Sequence, residues 1–306
     1  MRAAMARVDL HQHVFTEPLL EALGSRRRLP RVRHSDGQLT IYAAGEAPSR
    51  VELASECAEA RAALLRGDRL DQAVVAISSP LGMESLPRHE AQPLIEAHLS
   101  GVEALPRAFA AWGPLPIDEP EPDDVDVLVA RGCVGISLPA VALSGPQRIE
   151  LLGPVLERTA ALGVPLFVHP GSPDSQALQL APPWWAALTD YVAQMHAAWL
   201  SFAAFGRRQH PELMVVFSML AGCAPLHVER LTKRGGPPLQ LRDPQVYYDT
   251  SSYGSLTINT MALVVGERQL VYGSDRPVIT PCTTGLDTRL QRQAGELVGQ
   301  ARVALR

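Results

Sequence analysis

The sequence predicts an α/β protein, a (β/α)8 TIM barrel in a single domain with a small hairpin insertion after its first strand. Two observations carry that expectation: eight short apolar runs spread along the chain, and helix-like stretches following most of them. A third is length, since 306 residues run somewhat beyond the ~250 usual for this architecture. An open doubly wound sheet is the competing arrangement. It is weakened because no strand–turn–helix junction carries GxGxxG or a P-loop, so neither dinucleotide nor nucleoside triphosphate binding is signalled.

The strands are expected at RVDLH (7–11), DQAVVAIS (71–78), RAFAAW (107–112), CVGISL (133–138), VPLFVH (164–169), LMVVFSM (213–219), QVYYDT (245–250) and QLVYGSD (269–275). Each is apolar, rich in β-branched or aromatic residues and bounded by turn formers. Helices are expected over 49–67, 148–163 and 185–206, where apolar residues recur at intervals of three and four, and Gly67, Gly163 and Gly206 stand where C-terminal caps belong. The segment 24–48 is too long for an ordinary connection. Its Asp36-Gly37 pair suits a turn between two strands, so it reads as a hairpin excursion near the barrel mouth.

Composition narrows the function classes. A net charge of −4 from 28 basic and 32 acidic residues provides no field to attract nucleic acid or an anionic membrane, and the arginines of 25–33 read as a solvated loop. No apolar run approaches the ~20 residues needed to cross a bilayer. The cysteines Cys57, Cys133, Cys223 and Cys282 have no CxxC spacing and no secretory leader precedes them, which fits a reducing cytoplasm. Lys233 is the only lysine, so Schiff-base or carboxylated-lysine chemistry would have to use it.

Chemistry is expected at the C-terminal ends of the barrel strands. His11 and His13 end the first strand as an HxH pair, and residues two apart in an extended chain face the same side. His169 ends the fifth strand and Asp275 the eighth. Three imidazoles and a carboxylate at one rim suit a divalent metal with room left for water. Trp184 and Trp185 are candidate pocket walls for a flat substrate, and Arg276 a candidate partner for a substrate carboxylate. His196 and His227 are the histidines placed to reach the site from neighbouring segments.

At these residues the chain resembles the amidohydrolase superfamily, in the amidohydrolase 2 branch related to aminocarboxymuconate-semialdehyde decarboxylase. VDLHQH, GVPLFVHPG, HPELMVV, VYYDTSSYG and LVYGSDRP carry the resemblance, which covers almost the whole chain. It implies that His11, His13, His169 and Asp275 ligate one metal, zinc by preference with manganese or iron accommodated. The two-metal subclass with a carboxylated lysine is disfavoured, because the fourth strand ends GISLPA. The sequence departs from the family at its sixth strand, where a His-x-Gly-Gly-x-x-Pro pattern becomes MLAGCAP, with Met219 in place of the histidine that contacts metal-bound water or substrate. A thioether exchanges no proton.

The expected function is metal-dependent hydrolysis of an amide or lactone bond in a small organic molecule, with Asp275 taking the proton of a metal-activated water. Nonoxidative decarboxylation of a small aromatic or unsaturated carboxylic acid is the alternative. A third possibility is a catalytically quiet ligand-binding member whose pocket wall includes Met219. A homodimer is compatible with all three.

Overall fold

The computed structural model describes residues 5–35, 38–174 and 181–304. Among these residues twelve strands occur in the order β1 (Val8–Gln12), β2 (Arg31–Ser35), β3 (Gln38–Tyr42), β4 (Ser49–Val51), β5 (Gln72–Val75), β6 (Phe109–Ala111), β7 (Gly113–Pro114), β8 (Ile136–Pro139), β9 (Leu166–His169), β10 (Val215–Phe217), β11 (Val246–Asp249) and β12 (Leu270–Val271). All pairings outside β2–β4 are parallel, running β1–β5–β6 and then β7–β8–β9–β10–β11–β12. β6 and β7 are one strand interrupted at Trp112, whose N–H donates to Val75 while the next N–H, that of Gly113, donates to Gly135. The last seam closes through Leu10 N–H to the Tyr272 carbonyl at 3.0 Å, Asp275 N–H to His11 at 2.8 Å and His13 N–H to Arg276 at 2.7 Å. The result is a closed eight-stranded barrel, and each of the eight predicted strands has its counterpart.

Burial explains why these runs are apolar at nearly every position. Along β9, β10 and β11, Leu166, Val168, Val215, Phe217, Val246 and Tyr248 join one hydrophobic cluster. The intervening Phe167, Val216 and Tyr247 belong to a second cluster with Leu10, Val74 and Trp112. Both faces of a parallel strand are therefore covered, as the architecture requires. The helix Asp287–Ala304 adds Ala294 and Leu297 to the second cluster and packs on β1.

Three expectations for local structure change. The stretch 49–67 is not one helix: Ser49–Val51 pairs antiparallel with β3, and helices Leu53–Glu56 and Ala58–Gly67 are separated at Cys57, which is extended. The excursion accordingly spans β2, β3 and β4 as a three-stranded meander, because the free edge of β3 takes a partner that helical periodicity had assigned elsewhere. The expected Asp36-Gly37 turn lies outside the described residues. Of the three glycine caps only Gly163 is left-handed, at φ +65. Gly67 is the last helical residue, with Arg69 taking the positive φ, and Gly206 sits in a π-helical turn where a Cβ would stand 2.7 Å from the Phe202 ring.

His98 is buried in the helix Arg88–Glu103 with neither ring nitrogen hydrogen-bonded. Burial, aided by the nearby His13, pushes its pKa down to about 3. The unfolded chain then binds a proton below about pH 6.5 that the folded chain accepts only near pH 3. Stability contributed by neutral His98 is thus complete above pH 6.5 and lost as pH falls, at up to ~1.4 kcal/mol per unit. Urea unfolding at pH 7 and pH 5 should show a loss of about 2 kcal/mol from this group, and His98→Leu should flatten the difference. An unchanged difference in the variant would assign it elsewhere.

Candidate metal centre

His11, His13, His169 and Asp275 meet at the C-terminal rim of the barrel, each offering one ligand atom within 4.8 Å of the others. His11 Nε2 lies 3.2 Å from His13 Nε2, and Asp275 Oδ1 lies 3.5 and 3.2 Å from those two nitrogens. The three rings stand nearly perpendicular to one another, with centroids 4.8 to 5.1 Å apart. His11 and His169 are buried, and Phe167 meets His11 edge-on at 5.2 Å, so apolar packing lies directly against the imidazoles.

The outer ring nitrogens fix which way the inner ones face. His11 Nδ1 is 2.8 Å from Asp249 Oδ2, His13 Nδ1 is 2.9 Å from the Ala76 carbonyl, and His169 Nδ1 is 2.9 Å from the Pro170 carbonyl. With Nδ1 donating in each ring, all three Nε2 atoms point inward, and His11 Nε2 becomes a donor to a cation once it gives up its proton. Two nitrogens bound to one ion at about 2.0–2.1 Å with tetrahedral geometry would stand roughly 3.3 Å apart. The observed 3.2 Å between His11 and His13 matches that spacing. The residues fit a single divalent cation by donor type and by separation.

Electrostatics agree. Burial alone would depress the His11 pKa, but the Asp249 carboxylate at its Nδ1, with Asp275 and Asp9 adding, outweighs it and raises the value to about 9. His169 goes the other way, held well below the ordinary range by burial and by the neighbouring imidazoles. Three carboxylates around one positive ring leave a cation deficit that a divalent ion would supply.

Asp249 is the residue that the sequence reading passed over. It ends β11 within VYYDT, so the strand-end argument that selects Asp275 also selects Asp249. Its Oδ2 faces His11, while Oδ1 accepts Met219 N–H at 3.1 Å, Ser251 N–H at 2.9 Å and the Ser251 hydroxyl. Gly273 makes room for this contact, since a Cβ there would lie 2.8 Å from Asp249 Cγ and 2.9 Å from His11 Cβ.

Met219 lines the same cavity as His13, His169 and Asp275. It opens a run of left-handed residues, with Met219, Leu220, Ala221, Gly222 and Cys223 all between φ 51 and 62. Such a conformation costs about 1–2 kcal/mol per non-glycine residue, which the buried packing of the turn and the Asp249 anchor must offset.

The other sequence candidates stand elsewhere. Arg276 is committed to Asp68, with Nε to Oδ2 at 2.9 Å and Nη2 to Oδ1 at 3.1 Å, because the backbone of residue 276 closes the barrel seam and turns the side chain away. Trp184 and Trp185 pack on each other, are 56% and 42% exposed, and do not line the cavity. His196 pairs with His227 at 4.7 Å between ring centroids, also away from the cavity. The cavity, of about 520 Å³, is walled instead by the excursion, which contributes Ile41, Glu46 and Arg50, and by Tyr191. The Tyr191 hydroxyl donates to Glu46 Oε1 across the mouth. Neither Glu46, Arg50 nor Tyr191 carried a sequence signal, since Glu46 and Arg50 become cavity residues only once the excursion folds over the rim, and Tyr191 sits on a helix whose periodicity says nothing of the cavity.

No protein-family model matches the chain, and no curated protein matches it by sequence. Solved structures do. The Metarhizium anisopliae IDCase in apo form superposes with a TM-score of 0.75 at 18% identity, covering 98% of this chain and 94% of that one. The 5-carboxyvanillate decarboxylase of Sphingomonas paucimobilis gives 0.73 at 16% identity, covering 99% of both. A dihydroxybenzoic acid decarboxylase of Polaromonas, with bound manganese and the inhibitor 2-nitroresorcinol, gives 0.65 at 14% identity over 97% of both. At these identities the likeness is one of fold.

Two outcomes test the site. Because a cation must displace the His11 proton below about pH 9, manganese or zinc affinity should rise about tenfold per pH unit up to that point, with proton release visible by calorimetry in buffers of different ionisation heat. Asp249→Asn should lower affinity about 10- to 100-fold and remove most of that slope. Gly273→Ala should do similar damage by pushing Asp249 and His11 apart. Metal analysis of the dialysed variants checks both, and wild-type occupancy in Asp249→Asn would detach Asp249 from the centre.

Proposed function

We propose that this chain is a metal-dependent enzyme that removes the carboxylate of a small aromatic or unsaturated carboxylic acid without oxidation. The observation that carries the reading is Arg50. It is exposed, lines the same cavity as His13, His169 and Asp275, and has no ion-pair partner among the described residues. A cation free to pair with a carboxylate, in the same cavity as the candidate ligand cluster, suits an anionic substrate held at two points. The solved structures of like fold include decarboxylases of carboxyvanillate and dihydroxybenzoate. They support decarboxylation over the amide or lactone hydrolysis that ranked first on sequence alone.

In this reading His11, His13, His169 and Asp275 hold one divalent ion. Bound there, it supplies a Lewis acid that orients and polarises oxygen donors of the substrate. Manganese is supported by the ion in the Polaromonas structure, while the nitrogen-rich donor set equally suits zinc. Arg50 pairs with a carboxylate, and Phe15, Ile41, Leu81 and Met219 line the cavity that takes the planar body. Met219 contributes soft contact area and no proton. A catalytically quiet binder is disfavoured by the four ligand groups standing together with their hydrogen-bonded supports.

The setting we propose is the cytoplasm, where Cys57 and Cys282, both free and exposed, stay reduced. No helix of the described residues is long and apolar enough to cross a membrane. A homodimer is compatible with the reading.

The manganese-loaded and zinc-loaded protein should release CO2 from at least one member of a panel of hydroxybenzoates and carboxyvanillate. Arg50→Gln should raise KM about tenfold or more, the loss of a charge-assisted pair worth ~1.5–3 kcal/mol, with metal content unchanged. Cleavage of lactones or amides with no CO2 from any arylcarboxylate would return the site to hydrolysis.

A further inference from the structure

Decarboxylation needs a group to protonate the carbon that loses its carboxylate, and the cavity wall narrows the choice. Asp275 faces two imidazole nitrogens at 3.2 and 3.5 Å and is committed to the ligand cluster. His13 and His169 direct their outer nitrogens to backbone carbonyls and their inner ones to the same cluster. Met219 carries no exchangeable proton. Arg50 remains charged at any working pH. Glu56 accepts the Phe15 N–H at 2.9 Å and faces the buried Arg61 guanidinium. Glu52 is exposed at the outer edge. Glu46 remains: half-buried, lining the cavity, with one carboxyl oxygen engaged by the Tyr191 hydroxyl and the other, without a partner among the described residues, open to carry a proton.

We propose that Glu46, positioned by Tyr191 across the barrel mouth, is the acid that protonates the substrate carbon. The inference rests on the decarboxylase reading and names the proton donor for that reaction. In the step, a C–H bond forms at the carbon that bore the carboxylate. The C–C bond to that carboxylate breaks, its electron pair stays with the ring, and CO2 leaves. Solvent returns a proton to Glu46, and nothing is oxidised or reduced.

The surroundings of the pair suit the role. Burial raises the Glu46 pKa, Asp190 on the helix Asp190–Ser201 raises it further, and the Tyr191 hydrogen bond opposes them. Tyr191 itself is held neutral by burial and by the charges of Glu46, Asp275 and Asp190, so it positions Glu46 and does not ionise. Arg50 is the cation of the same meander that lines this cavity. The backbone before Glu46 is fixed against the barrel: the Ala44 carbonyl accepts the Ser172 hydroxyl, and a Cβ on Gly45, at φ +74, would lie 2.8 Å from the Pro173 carbonyl oxygen.

The test uses the full-length, manganese-loaded protein and 2,6-dihydroxybenzoate and 5-carboxyvanillate as probes. Glu46→Gln preserves an oxygen for Tyr191 to donate to but cannot deliver a carboxyl proton. It should lose at least ~100-fold in kcat, with KM and metal content within about threefold of wild type. The fall of wild-type kcat with rising pH, as Glu46 deprotonates, should vanish in the variant. Glu46→Asp should restore part of the rate, and Tyr191→Phe should shift that pH limb while leaving the metal in place. Wild-type kcat or an unaltered pH limb in Glu46→Gln, with activity lost only in Glu46→Ala, would show that the pair merely braces the mouth and would overturn the inference alone. If the wild-type protein releases CO2 from neither probe nor any other arylcarboxylate, the decarboxylase reading fails and takes the inference with it.

Discussion

The site hangs on one buried carboxylate. Asp249 uses one oxygen to orient His11 and the other to hold Met219 and Ser251, so a single side chain links the seventh barrel strand to the first strand and to the loop after the sixth. A fully buried carboxylate costs several kcal/mol unless its lone pairs are filled. Here four donors from three segments fill them. The arrangement tolerates no intruding atom, and Gly273, two residues past β12, supplies that clearance. Asp249 also biases His11 toward the charged form, so a cation bound by this cluster would exchange for the His11 proton.

Behind this centre a second polar layer fixes the strand that carries the HxH pair. Asp9, fully buried and with its pKa raised by desolvation, accepts the His11 and Ser274 N–H groups and the Gln12 amide. Gln12 in turn accepts Arg61, whose guanidinium also reaches the His13 carbonyl. Sequence position alone puts His11 and His13 on one face. Their convergence to 3.2 Å depends on these backbone anchors, and on the irregular register between Asp9 and Gln12 where β1 meets β5. Rigid support of this kind separates a metal centre from two histidines that happen to share a strand end.

Much of the architecture was legible because a parallel barrel writes itself as repeated apolar runs buried on both faces, and all eight runs matched strands. The clustering of the candidate ligands was legible for the same reason: His11, His13, His169 and Asp275 stand at or just past strand ends, and strand ends share a rim. Asp249 satisfied the same rule and was missed because its chemistry is indirect, acting through His11. Legibility failed where long-range folding decides. Ser49–Val51 has helical periodicity with its neighbours, yet the open edge of β3 makes it a strand and thereby turns Arg50 into the cavity. Trp184, Trp185 and Arg276 have the right chemistry for a pocket, but adjacency to a ligand in sequence does not place a side chain. Barrel closure at residue 276 sends Arg276 to Asp68 instead.

The division of labour between barrel and excursion follows from these contrasts. The barrel rim supplies the candidate ligand groups, with His11, His13 and His169 buried and Asp275 partly exposed. The β2–β4 meander supplies the half-buried carboxyl of Glu46 and the exposed cation of Arg50, both open to exchange with a substrate. Met219 marks the boundary between the two. It is held in a left-handed turn by Asp249 and presents an apolar surface where a titratable ring would compete with the metal centre for protons. In the proposed reaction the acid is Glu46 of the meander, and the buried Asp249–His11 pair takes no part in that proton transfer. On this view the methionine is no defect in the wall, because a second proton-exchanging group beside His11 would couple to it through a low-dielectric interior. In the proposed reaction the proton is drawn from the solvent-facing side of the cavity.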